Sequence, residues 1–213
     1  MPRRVRVEAL GSGDAGPAAR VLGDAFLDDP VWSAIGPRRR SHRRVSNRVS
    51  FAGILVASRR HGARIRVARE EGQVVGVSVS FEPGRWPLPE SSALWELGWL
   101  AVAGPLPAWR GMRDDRAMRN NHVDHPHMYL WFLGVEPARH GSGVGRALLA
   151  ELHGDSDARE VPTYLETASR ANVAFYGRDG YEEIGTIAMP SGPTMWRLER
   201  PPGSGAARRR EIE

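Results

Sequence analysis

The chain has 213 residues with 30 basic and 25 acidic side chains, a net charge of +5, and no lysine or cysteine, so every basic residue is arginine. That composition excludes a Schiff base, a lysine general base, the lysine of a Walker loop, a thiol nucleophile, disulfides and cysteine-based zinc sites. With 41% hydrophobic residues it reads as one domain of ordinary size with an adequate core; lacking a secretory h-region and an apolar run that could cross a bilayer, it is expected in the cytoplasm.

In chain order, alternation around Val5 and Val7 predicts a first strand, and Asp14 is placed to cap a helix that runs to about Phe26 and ends at Asp28-Asp29-Pro30. Residues 37–61 read as one long helix, and residues 63–69 and 74–81, separated by Glu71-Gly72, as a β-hairpin. A proline-rich connection over 82–90 leads to helical spacing at Leu94, Leu97, Leu100 and Ala101 and to a second helical stretch over 109–122. Met128 to Val135 is almost wholly apolar and predicts a buried central strand. A glycine-rich turn and a helix presenting Leu148, Leu149 and Leu152 follow, then a strand at 163–167, a short helix at 172–178 and closing strands at 181–188 and 195–199. Residues 1–200 are expected to form the domain, and the Arg-rich segment 201–213 a disordered tail.

The turn carries the strongest signal. His140-Gly141-Ser142-Gly143-Val144-Gly145 places three glycines at alternate positions between a buried strand and an amphipathic helix. Glycine lets a ligand approach the backbone, and a helix start offers free N–H groups and a positive dipole end, so this turn suits phosphate oxygens, with Arg146 adding charge. A literal G-x-G-x-x-G also occurs at Gly11 to Gly16, but the Arg38 to Arg44 run stands where a dinucleotide fold needs a second parallel strand and an acidic residue, so it reads as a turn.

The stretch from Phe132 to Pro137, continued by Gly141-Ser142-Gly143-Val144-Gly145-Arg146-Ala147-Leu148-Leu149, resembles the acetyl-CoA motif Q/R-x-x-G-x-G/A of the GNAT superfamily of N-acetyltransferases, with His140 in place of the usual Gln or Arg. A second block, Tyr164-Leu165-Glu166-Thr167-Ala168 with Asn172, Phe175-Tyr176 and Gly180-Tyr181, is similar to that family's next strand and helix. Residues 25–30 and 189–196 are similar to the puromycin N-acetyltransferase group within it. The resemblance implies an α/β (α+β) fold with a mixed, mainly antiparallel central sheet flanked by helices. It implies acetyl-CoA as the acetyl donor with no metal, its pyrophosphate on the amides of Gly141 to Gly145, its pantetheine arm against a splayed strand end at Leu133, Gly134 and Val135, and Asn172 in contact with it. It further implies Tyr176 as the acid that protonates the departing thiolate, a role that a phenol suits chemically.

Strand alternation places His127, Tyr129, Trp131 and Leu133 on one face, where several family members hold their base, and the ordinary imidazole pKa suits His127 to accept a proton. His122, Asp124 and His125 are alternatives. Read as metal ligands, the three histidines lack an accompanying carboxylate set. Trp86, Trp95, Trp99 and Trp109 either line an acceptor pocket or fill the core. The reading is an acetyl-CoA-dependent transferase acting on a small-molecule amine, an antibiotic or other secondary metabolite among the possibilities, with no nucleic-acid or membrane partner. A non-catalytic acetyl-CoA sensor and a peptide N-acetyltransferase are the alternatives; oligomeric state, monomer or homodimer, leaves no signal.

Overall fold

A computed structural model describes residues 5–88 and 94–204. Seven strands form one sheet in the order β1-β2-β3-β4-β5-β7-β6: β1 (Arg6–Ala9), β2 (Arg64–Glu70), β3 (Gln73–Phe81), β4 (Met128–Val135), β5 (Thr163–Thr167), β6 (Glu182–Ala188) and β7 (Thr194–Arg200). All neighbours pair antiparallel except β4 and β5, so the sheet is mixed and mainly antiparallel. Its middle strand, β4, has no charged side chain because helices cover both of its faces.

One face carries α1 (Ala15–Ala25) and α3 (Arg40–Arg60), whose Ala18, Leu22, Phe51 and Ile54 pack on Val77, Val79, Tyr129 and Phe132. The opposite face carries α6 (Val144–Asp157) and α7 (Arg170–Gly177), where Leu149, Leu152 and Tyr176 meet Met128, Leu130 and Leu165. Against α3 packs α4 (Leu94–Ala103), and α5 (Pro105–Asn120) packs on α4 and on α2 (Pro30–Ile35). Two glycines let helices approach the sheet closely. A Cβ at Gly76 would lie 2.6 Å from Val144 of α6, and one at Gly134 would lie 2.8 Å from Leu22 of α1.

Three details differ from the sequence reading. Asp29-Pro30 ends one helix and starts another: the Asp29 carboxylate accepts from the amides of Val31 and Trp32 at 2.9 and 3.0 Å, with Pro30 in the first helical position of α2. Asp14 holds the cap position of α1, but its carboxylate turns to Gly11 N–H (2.8 Å) and the Arg69 guanidinium. That closes the Gly11 to Gly16 turn against an antiparallel edge strand, a setting unlike a dinucleotide site. The first residues of the expected tail are held in place, Gly203 N–H donating to Asp157 at 2.8 Å; residues 205–213 lie outside the described residues.

Candidate active site

The site originates in β4. Val79 pairs with Phe132 but the next residue, Ser80, pairs with Leu130, so Trp131 is bulged out of the β3 ladder. A bulge advances the side-chain alternation by one residue. Tyr129 and Phe132 therefore share the α1/α3 face, whereas Leu130 and Leu133 share the α6/α7 face. This corrects the expectation that Leu133 lies on the face of His127 and Tyr129. Beyond Leu130↔Leu165 the register of β4 with its parallel neighbour β5 ends, and the two strands part.

A cavity passes through the sheet at this parting. On the α6/α7 face its wall includes Leu130, Leu133, Leu165, Asn172 and Tyr176; on the other face it opens into a chamber lined by Phe26, Trp32, Trp99, Met118 and Phe132. Glu136 N–H reaches back to Val75 of β3 at 2.8 Å, so by strand alternation the peptides of Leu133 and Val135 turn toward the parting and that of Gly134 toward β3. The backbone edge left open at the parting thus consists of Leu133 and Val135, while Gly134 serves the ladder and the close approach of α1.

A short 3-10 turn (Pro137–Arg139) joins β4 to the glycine turn. Gly141 and Gly143 adopt φ of +77° and +89°, with nothing within 4 Å of where a Cβ would point, and Gly145 has Phe175 3.4 Å from its Cβ position. The first bond within α6 runs from Ala147 N–H to Gly143 C=O, so the amides of Val144, Gly145 and Arg146 point out of the helix start. Ser142 Oγ donates to Arg139 C=O at 2.7 Å, and Arg146 projects into solvent 3.8 Å from Asp179. His140, the departure from the usual motif, donates from Nε2 to the Val135 carbonyl at 3.2 Å and ties the turn to the strand end.

Tyr176 is buried at the cavity wall with its ring 5.4 Å from that of Tyr181, and desolvation pushes its phenol above the ordinary tyrosine range. One turn earlier, Asn172 donates to Thr167 Oγ1 at 3.2 Å; the cap position of α7 belongs to Ser169, so Asn172 is free of that role.

His127 and Tyr129 line a separate groove with Glu82, Trp86, His122 and His125. Burial lowers the His127 pKa, against the Nδ1–H bond to His125 C=O at 2.7 Å, and Nε2 is 3.0 Å from His122 Nε2. Tyr129 is completely enclosed and its phenol lies well above its usual range through burial and the charge of Glu166. His125 extends instead to Glu199 at 2.6 Å, and among the described residues no cluster of His, Asp and Glu could hold a metal ion.

Glu166 is the residue that the sequence reading passed over. It lines the through-sheet cavity, its side chain is 1% exposed, and its Oε1 lies 3.5 Å from His122 Nδ1. The signal was present in Tyr164-Leu165-Glu166-Thr167-Ala168: a carboxylate in a buried strand is costly without a partner or a task. Of the tryptophans, Trp99 enters the chamber and donates to Ser46 Oγ at 2.9 Å, Trp86 stacks 4.2 Å from His122, and Trp109 is 53% exposed. The Trp95 side chain lies outside the described residues, and Trp32, not foreseen, supplies a chamber wall.

Comparison with known proteins places these features. A 120-residue stretch is 31% identical to the mycothiol acetyltransferase of Kytococcus sedentarius, covering 54% of this chain and 40% of that one, so the match spans less than half of the relative. A Corynebacterium glutamicum structure described as histone acetyltransferase HPA2 and related acetyltransferase superposes with a TM-score of 0.71 at 24% identity, over 93% of this chain and 97% of the other. The PaiA N-acetyltransferase of Thermoplasma acidophilum, solved in complex with coenzyme A, superposes with a TM-score of 0.58 at 11% identity, over 93% and 99% of the two chains. The two structures establish likeness of fold, and the model of the Acetyltransferase (GNAT) family matches residues 29–181. With most of its length so matched, the chain belongs to the GNAT acetyltransferase family.

Proposed function

We propose that the protein is an acetyl-CoA-dependent N-acetyltransferase that acts on the primary amine of a small molecule with a bulky apolar body. The observation that carries this reading is the single cavity through the sheet, with the glycine turn and Tyr176 on one side and an aromatic chamber on the other. Two reactants can enter from opposite faces and meet between β4 and β5.

The turn suits a CoA pyrophosphate: two glycines with positive φ open the backbone, and three helix-start amides face outward. Leu133 and Val135 would run beside the pantetheine arm, with Asn172 across the cavity. When bound, acetyl-CoA supplies an activated acyl group and a thiolate leaving group. Tyr176 holds a proton at the α7 side of the cavity, as any phenol does at neutral pH; burial raises its pKa, so it donates only to a strongly basic group such as the departing thiolate. Trp32, Trp99 and Phe132 enclose the acceptor body and exclude water.

The test is release of CoA thiol from acetyl-CoA with puromycin, aminoglycosides, polyamines, a mycothiol precursor amine and peptide N-termini. Release with a small amine supports the reading. Release with peptides alone moves the acceptor to that class, and acetyl-CoA binding without release across the panel favours a sensor.

A further inference from the structure

Four carboxylates line the through-sheet cavity, from Asp29, Asp114, Asp115 and Glu166. Three are already engaged: Asp29 caps α2, Asp114 accepts from Ser191 N–H at 3.0 Å and from its hydroxyl, and Asp115 pairs with Arg119 at 2.6 Å. Glu166 differs, because its Oε1 is buried without a well-formed hydrogen bond, approached by His122 Nδ1 at 3.5 Å while the hydroxyls of Tyr129 and Tyr164 turn to its carboxylate. It belongs to the last part of β5, where β4 has already turned away.

Behind Glu166 the hydrogen-bond directions are fixed by elimination. The His125 carbonyl can only accept, so His127 carries its proton on Nδ1, and neutral His127 offers Nε2 as an acceptor. His122 Nε2 must then donate across the 3.0 Å contact. What remains is His122 Nδ1 and Glu166 Oε1, two basic atoms 3.5 Å apart with room for one proton between them. Tyr129 of β4 and Tyr164 of β5 also face Glu166, both held protonated by burial and by its charge. Arg197 of β7, its register partner, and Asp115 of α5 complete the charged surroundings.

We propose, resting on the N-acetyltransferase reading above, that the Glu166–His122 pair is the base that takes the proton from the acceptor ammonium, and that His127 passes it to the outer groove. The amine loses one proton, which moves to the Oε1–Nδ1 site and leaves His122 an imidazolium beside the Glu166 carboxylate. His122 then gives its Nε2 proton to His127 Nε2, making His127 the imidazolium; His127 lines the groove with Glu82, Trp86 and His125, where water takes up one proton and returns His127 to the neutral form. Glu166 is the group that meets the substrate; His122 and His127 act through it as relay and positioning residues. Nothing in the transfer requires a metal or a redox partner.

The experiment pairs two amines of nearly equal size. 2-Phenylethylamine is an ammonium at neutral pH and needs a base; O-benzylhydroxylamine is already a free base. E166Q is expected to lower kcat/KM by about 100-fold with the first and by less than about threefold with the second, at unchanged acetyl-CoA affinity. For 2-phenylethylamine the variant's rate should keep rising with pH until the amine itself deprotonates, and E166D should recover part of the loss. H122N should shift the acidic limb of the wild-type pH profile. An equal loss with both amines, or an unmoved acidic limb in E166Q and H122N, overturns the proposal while the transferase reading stands. If wild type releases no CoA with either amine or with the wider panel, the transferase reading fails and the relay falls with it. Thermal unfolding of E166Q separates a folding defect: a variant that melts like wild type and has lost discrimination between the amines also counts against the relay.

Discussion

Tyr176 carries its proton at neutral pH, as an ordinary phenol does, and burial raises its pKa further. Tyr176→Phe is therefore expected to lower turnover by on the order of 100-fold while acetyl-CoA binds as before; the check is steady-state kinetics beside calorimetric titration of acetyl-CoA. Unchanged turnover would remove Tyr176 from the acid role. His153 makes a second prediction on the same scale. Burial, reinforced by the Arg200 charge, depresses its pKa from 6.5 to about 4, and its Nε2 lies 3.2 Å from the Tyr181 hydroxyl. Between those two values the unfolded chain takes up a proton that the folded chain refuses, so stability falls as pH drops through this window, by about 3 kcal/mol in all. Carboxylates held low by arginine, such as Asp14 and Asp157, act only at lower pH. Urea unfolding across the window should show the slope in wild type and a smaller one in His153→Leu, where His127, also lowered by burial, still contributes. Tyr176 and Asn172 could be named as candidates from the sequence because the motif that carries them is contiguous, whereas Glu166 needed the distance to His122 before its burial meant anything.

At the scale of elements, the strand-turn-helix unit was readable from its glycines, and the structure explains each: φ above +70° at Gly141 and Gly143, close packing at Gly145. Gly143→Ala forces a left-handed conformation on a residue with a Cβ, at a cost of about 1–2 kcal/mol. If the turn is the CoA cradle, acetyl-CoA affinity should fall by about tenfold or more, measured by titration alongside the melting temperature. A melting shift with intact affinity would show the turn to be structural only. The bulge at Trp131 escaped the sequence because β4 is apolar on both faces, so its residues carry no polar mark of phase. Asp29-Pro30 misled for a different reason: the same pair serves as a stop signal and as a helix start, and only the Val31 and Trp32 amides on the Asp29 carboxylate decide between them.

At the scale of the molecule, the all-arginine surface resolves into local pairings. Arg64 bridges Glu82 and Asp155, Arg66 reaches Glu151 and Asp155, and Arg200 is buried against Asp157, so much of the positive charge is matched where it stands. None of these arginines lies on the cavity wall, which depends instead on an arrangement no local pattern encodes: β4 bonded to β3 along its length, β5 to β7, and a β4–β5 contact that lasts three residue pairs. That parting lets one cavity serve two faces, and it is the centre of the account. Its most direct test is amide and indole NMR of the protein titrated first with acetyl-CoA and then with an amine that the enzyme accepts. Acetyl-CoA is expected to shift the amides of Leu133, Val135, Gly141 to Gly145 and Asn172, and the amine to shift the indoles of Trp32 and Trp99 on the opposite face. Both ligands mapping to one face, or acetyl-CoA leaving the glycine turn unmoved, would contradict it.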